Sequence, residues 1–167
     1  MFKRIVANLL LGAACAASSG ADALDSRDMR RACRVVLHDD AVRALNGALP
    51  DSVRGAYRQR FPDVAILPSD SDIAAQARWR CADGRALVCF VGANLPCAKI
   101  DARRRNRGAD AFCRDNPGAE IVSAAATGHD ALFSFACRGA RATISGRNWR
   151  LDARGFAGEL WVALPDR

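Results

Sequence analysis

Six cysteines, Cys33, Cys81, Cys89, Cys97, Cys113 and Cys137, are spread through residues 24–167 of this chain, and a seventh, Cys15, precedes them. Their spacing decides what they can be used for. Seven residues separate Cys81 from Cys89 and again Cys89 from Cys97, and no C-x-x-C occurs. Structural zinc sites pair ligands a few residues apart so that one turn presents two sulfurs to the same ion, so no metal role is expected. Thiol exchange through a C-x-x-C pair is equally unsupported. What remains is a disulfide framework in an oxidising compartment.

The first residues agree with that. Lys3 and Arg4 are followed by an apolar run over 5–17 and by Ala21-Asp22-Ala23, an A-x-A cleavage site. Residues 1–23 are therefore expected to be a signal peptide. The run falls short of the roughly twenty apolar residues a membrane span needs. No later stretch is long and apolar enough, so the mature chain is expected to be periplasmic or secreted, with no transmembrane segment. Cleavage removes Lys3, Arg4, Asp22 and Cys15, leaving 23 basic and 17 acidic side chains, a net charge of +6, and six cysteines.

Parity then constrains the bridges. From residue 77 onward there are five cysteines, and before it in the mature chain only Cys33. If all six are oxidised within one chain, Cys33 must bond a cysteine of the later region. The expected pairs are Cys81 with Cys137, Cys97 with Cys113, and Cys33 with Cys89. The first rests on an internal echo. Trp79-Arg80-Cys81 and Phe135-Ala136-Cys137 each place an aromatic two residues before a cysteine, on the same strand face, ahead of a glycine turn and a returning strand.

Residues 24–66 read as a helical arm. Met29, Cys33, Val36 and Leu37 make one stripe, capped by Asp25 or Ser26 and closed by His38. A short helix carrying Val42, Leu45 and Leu49 is expected behind Asp39 or Asp40, and another after Pro50 with Val53, Tyr57 and Phe61. Residues 67–76 read as linker. Residues 77–167 form a strand-rich body. Strands are expected over 78–81 and 86–91 about an Asp83-Gly84 turn, then over 120–124, 132–137, 142–145, 149–152 and 159–163, with a polar helix over 101–115. The expected fold is α+β: an N-terminal helical arm packed on a small antiparallel β-meander stapled by disulfides. Core packing is the expected role of Trp79, Trp149 and Trp161.

No catalytic constellation stands out. His129 sits beside Asp130, but neighbours in an extended segment point to opposite faces, so that carboxylate is poorly placed to orient the imidazole. No G-x-S-x-G elbow supplies a nucleophile. Asp70-Ser71-Asp72 lacks the glycine and closing glutamate of a calcium loop. No G-x-G-x-x-G or P-loop occurs, and no cofactor is expected. The sharpest charge feature is Arg103-Arg104-Arg105-Asn106-Arg107, where Arg103, Arg104, Arg105 and Arg107 form a dense positive patch. It suits an anionic envelope component or an acidic protein. It has no interleaved aromatics for stacking on bases, so nucleic acid is not expected. A non-enzymatic binding or inhibitor module of the cell envelope follows. The alternative is a small envelope hydrolase using His129 with an aspartate.

Trp79-Arg80-Cys81-x-Asp83-Gly84, Cys89, Gly92-Ala93-Asn94-Leu95-Pro96-Cys97, Cys113-Arg114-x-Asn116-Pro117, Gly128-His129-Asp130, Cys137 and Asp152-Ala153-Arg154-Gly155-Phe156 resemble a group of small exported proteobacterial proteins of unknown function. The resemblance spans residues 77–162 and does not reach Cys33. It implies export and disulfides, and no activity. The aromatic-x-Cys-x-x-Gly strands are also similar to those of periplasmic lysozyme inhibitors, whose serine-glycine loop is not recognisable here.

Overall fold

In the computed structural model, which describes residues 26–92 and 94–166, the apolar stripe of Met29 and Cys33 winds Ser26–Val35 into helix α1 and buries both side chains completely. The expected leader, 1–23, and the alternative cap Asp25 lie outside the described residues. Strand β1, Asp39–Ala44, follows, then α2, Asp51–Arg60, and α3, Asp70–Gln76. Strands β2, Ala77–Ala82, and β3, Arg85–Phe90, form a hairpin. Helices α4, Arg107–Asp115, and α5, Ala124–Thr127, precede a second hairpin of β4, Phe133–Arg138, and β5, Arg141–Arg147. A 3-10 turn, Gly158–Leu160, leads into β6, Val162–Ala163.

The fold is α+β, with helices packed on antiparallel sheet and three disulfides. One sheet has the order β1-β2-β3-β6, and β4-β5 stand apart as a two-stranded sheet. Alternation along β2 puts Trp79 and Cys81 on one face, with Met29, Val53, Tyr57 and Ile73 of the helices. Arg80 points to the other face, where Phe156 and Trp161 belong to a second core with Ile100, Leu132 and Leu160. A third core joins α4 to the second hairpin through Ala109, Phe135 and Val122.

Each core contains one disulfide: Cys33–Cys81, Cys89–Cys97 and Cys113–Cys137. Cys33 does bond a cysteine beyond residue 77, as parity requires. The three expected partners are corrected. Cys81 and Cys137 do occupy equivalent hairpin positions, opposite Ala86 and Ala142, but their hairpins belong to different sheets. Cys89 and Cys97 close the loop between them instead, and Cys113 reaches across from α4 to β4.

The echo itself is a structural equivalence, hairpin for hairpin. Ala82 pairs with Arg85, and Arg138 with Arg141, so both hairpins close on two-residue turns. Asp83 and Gly84 both have positive φ (51° and 70°), whereas in the other turn Gly139 does (58°) and Ala140 does not. The glycine moves by one position because the primed turn type changes.

Several local expectations are also corrected. The segment around Val42 is a strand. The Cys33–Cys81 bridge delivers the chain to the open edge of β2, and Asp39 is spent on the Ala41 amide and the Arg43 guanidinium rather than on capping a helix. His38 does not close α1, which ends at Val35; its Nδ1 accepts from the Asp83 amide at 3.3 Å. In the expected linker 67–76, Ser69 caps α3, accepting from the Asp72 amide at 3.2 Å, and Ile73 is buried. Asp70 is engaged by Arg54 and Asp72 by Ser69. Residues 119 and 122 do run beside β4, through Cys137 N–H to Ala119 O and Val122 N–H to Phe135 O, but 124–127 are helical. Leu151 makes a single bridge to Ala157 rather than a strand, and 158–160 form the 3-10 turn. Trp79 and Trp161 are buried as expected, while Trp149 is only half-buried.

Asp40 ties β1 to the loop beyond β5. Its carboxylate accepts from Arg154 at 2.8 and 2.9 Å and lies 2.7 Å from Lys99 Nζ. The Arg154 hydrogen bonds first, then Lys99, hold its pKa down to about 2, from 3.8. A depressed carboxyl stabilises the fold above its unfolded pKa, and that contribution is lost as pH falls through the folded one. Stability of the native protein is therefore expected to drop between pH 4 and pH 2. Asp40→Asn flattens that part of the profile, as read by denaturation midpoints across the pH series.

Candidate functional site, an arginine-walled groove

The helix expected over 101–115 begins only at Arg107, because Asn106 caps it: Oδ1 accepts from the Ala109 amide at 3.0 Å. The Asn106 amide group also donates to Thr127 O at 2.7 Å, fastening the start of α4 to the end of α5. The two helices meet at Gly108, where a Cβ would lie 1.8 Å from Ala126 O. Glycine is the residue that permits this approach. Residues 102–105 consequently run as an exposed segment outside the helix.

The four arginines of the run have different fates. Arg103 turns back on Asp101, donating through Nε at 2.8 and 3.0 Å and through Nη2 at 2.6 Å. That pairing, first through the Arg103 hydrogen bond, lowers the Asp101 pKa and raises that of Arg103. Arg104 lies over the Phe133 ring, 5.5 Å from its centroid, and lines a cavity of about 550 Å³ together with Arg105. Arg107 lines a neighbouring hollow of about 690 Å³. Arg105, Asn106 and Asp110 line both, so the two form one groove.

Two further arginines complete the wall. Arg114 comes from the last turn of α4 and Arg141 from the first residue of β5. Arg114 falls two helical turns after Arg107, a signal legible in the periodicity once the helix is placed. Arg141 carries no such signal. The Cys113–Cys137 bridge, with a Cα–Cα distance of 5.3 Å, draws α4 against β4, and the tight Gly139 turn then returns Arg141 beside Arg114. Arg104, Arg105, Arg107, Arg114 and Arg141 make no ion pair among the described residues, and Asp110 is the one acidic residue lining the 550 Å³ cavity. Each guanidinium offers five N–H donors and remains charged, so the groove is suited to phosphate or carboxylate oxygens.

His129 and Asp130 occupy the turn closed by the Ala131 amide on Gly128 O, not an extended segment, and still face different hollows. His129 lines a third hollow, of about 390 Å³, while Asp130 lines the arginine groove. The His129 imidazole has no hydrogen bond or ion pair with a carboxylate among the described residues. No group of three or more His, Cys, Asp or Glu side chains that could hold a metal ion occurs among the described residues. No helix among them is long and apolar enough to cross a membrane.

The site and fold define a small disulfide-stabilised protein. Comparison with protein-family models, with curated proteins and with solved structures finds no match.

Proposed function

We propose that this chain is an exported, non-enzymatic binding module of the cell envelope, periplasmic or secreted, whose arginine groove takes the anionic groups of an envelope component. The observation that carries this is the convergence of Arg104, Arg105, Arg114 and Arg141 on one cavity with a single carboxylate in its wall. Four guanidinium groups facing one carboxylate repel one another, and an anionic ligand relieves that repulsion while gaining charge-assisted hydrogen bonds. The three disulfides support a protein that folds in an oxidising compartment. The apolar run and A-x-A site of residues 1–23 supply a route there.

Titration with linear polyphosphate tests the reading. Binding is expected at low ionic strength, weakening as salt screens the groove. A hydrogen bond to a charged group contributes about 1.5–3 kcal/mol, so the pair Arg114→Gln and Arg141→Gln should weaken binding at least about tenfold. Arg103→Gln should change it little, since that guanidinium already serves Asp101. Polyphosphate binding that ignores the Arg114/Arg141 pair would refute the proposal.

A further inference from the structure

The hollow that His129 lines is unlike the groove beside it. Its walls are the side chains of Ile121, Val122, Phe133 and Trp149, and polar groups stand at Asn94, His129 and Ser134. Ile121 is 78% exposed, so its apolar side chain is accessible at the rim of the hollow. At about 390 Å³ the hollow is within the range of small-molecule sites, roughly 300–1,000 Å³.

Its shape is held from behind. Asn148 donates to Ala131 O at 3.0 Å and accepts from the Ser134 hydroxyl, fixing the chain next to Trp149. The Cys89–Cys97 bridge closes the loop that carries Asn94. The amide of Asn94 and the imidazole of His129 make no hydrogen bond among the described residues and are left to face a ligand.

This hollow is continuous with the arginine groove. Thr127 and Gly128 line both. Phe133 forms a wall of the hollow and carries the guanidinium of Arg104 over its ring. A ligand lying across this edge therefore meets apolar surface with amide and imidazole groups at one end, and at the other the unpaired Arg104, Arg105 and Arg107, with Asp110 and Asp130 in the same wall.

We infer that the hollow is a saccharide-ring subsite and that the anionic partner is an acidic glycan. This rests on the groove's role as an anion site. A sugar ring has an apolar C–H face for Ile121, Phe133 and Trp149 and a rim of hydroxyls for Asn94 and His129. An acyl chain would bury those amide and imidazole groups without partners, which is costly. A bare inorganic anion would leave the apolar walls unused. Carboxylates on the glycan reach Arg104 and Arg105 along the shared wall.

Three probes separate the parts: trigalacturonate, its neutral counterpart galactotriose, and inorganic triphosphate. Both Ile121 and Asn94 are exposed, so Ile121→Ser with Asn94→Ala leaves the fold intact. That pair is expected to weaken trigalacturonate binding at least fivefold and to leave triphosphate binding unchanged. Arg114→Gln with Arg141→Gln is expected to weaken both. If the Ile121/Asn94 pair has no effect on trigalacturonate while the arginine pair still does, the saccharide subsite is overturned and the anion groove stands. If trigalacturonate and triphosphate both ignore the arginine pair, both readings fall. Galactotriose binding as tightly as trigalacturonate would overturn the acidic-glycan assignment.

Discussion

Replacing Cys33 and Cys81 together by alanine is expected to lower the unfolding free energy by about 4 kcal/mol, the largest loss from any of the three bridges. Their sequence separation is 48, against 24 for Cys113–Cys137 and 8 for Cys89–Cys97. In the chain-entropy account the stabilisation grows with the loop closed in the unfolded chain, to about 4, 3.5 and 2.5 kcal/mol in that order. The native contacts reinforce the ranking. Cys33 and Met29 are fully buried in the core that α1 shares with β2 and β3. Since a small domain's net stability is only about 5–15 kcal/mol, the variant should unfold at much lower denaturant. Chemical denaturation of the three double-alanine variants measures this. A Cys33/Cys81 variant no less stable than the Cys89/Cys97 one would contradict the account.

The second large effect concerns Arg80. Its side chain is 0% exposed, lies 4.0 Å from the Phe156 centroid and 4.7 Å from that of Trp161, and is paired through Nη2 with Asp152. Its Nε and Nη1 make no hydrogen bond among the described residues. Asp152 is committed on its other oxygen as well, which accepts from the Arg154 and Phe156 amides at 2.8 and 3.0 Å. Asp152→Ala strands a buried guanidinium and two amides, and is expected to cost about 3–5 kcal/mol. Arg80→Met removes the buried charge and its unbonded N–H groups while keeping an unbranched side chain between the rings. It should therefore cost markedly less, because an apolar replacement escapes the desolvation penalty. Thermal or urea unfolding of the two variants distinguishes them. Equal losses would mean that packing of the side chain, rather than charge, governs the site. The two rings also attract the cation, and at a desolvated site that contribution reaches about 2 kcal/mol.

Arg80 is the residue that the hairpin echo pairs with Ala136, and nothing in its neighbourhood marks it as buried. Alternation along β2 does put it opposite Trp79 and Cys81, but an arginine there reads as a solvent-facing residue. It is interior because the segment 149–161 folds over that face of the sheet, a contact between residues far apart in the chain. The strand β1 was hidden for a related reason. Val42, Leu45 and Leu49 repeat at helical spacing, and only the open edge of β2 converts the first part of that segment to extended chain. Of the groove, Arg104, Arg105 and Arg107 were visible as a run. Arg103 belonged to the same run, yet Asp101 two residues earlier takes it out of use.

Local chemistry determined a good deal on its own. Parity of the cysteines required Cys33 to bond the later region, the Asp83-Gly84 and Gly139 turns announced two hairpins, and the density of arginine marked one stretch of the arginine-walled groove. These follow from composition and from interactions a few residues long. The tertiary structure decided which sulfurs meet, which face of the sheet is covered, and that Arg114 and Arg141 stand together. Those outcomes depend on how three separate apolar cores close, each around its own bridge. Hydrophobic burial is non-directional, and its partners are chosen only when the whole chain is packed.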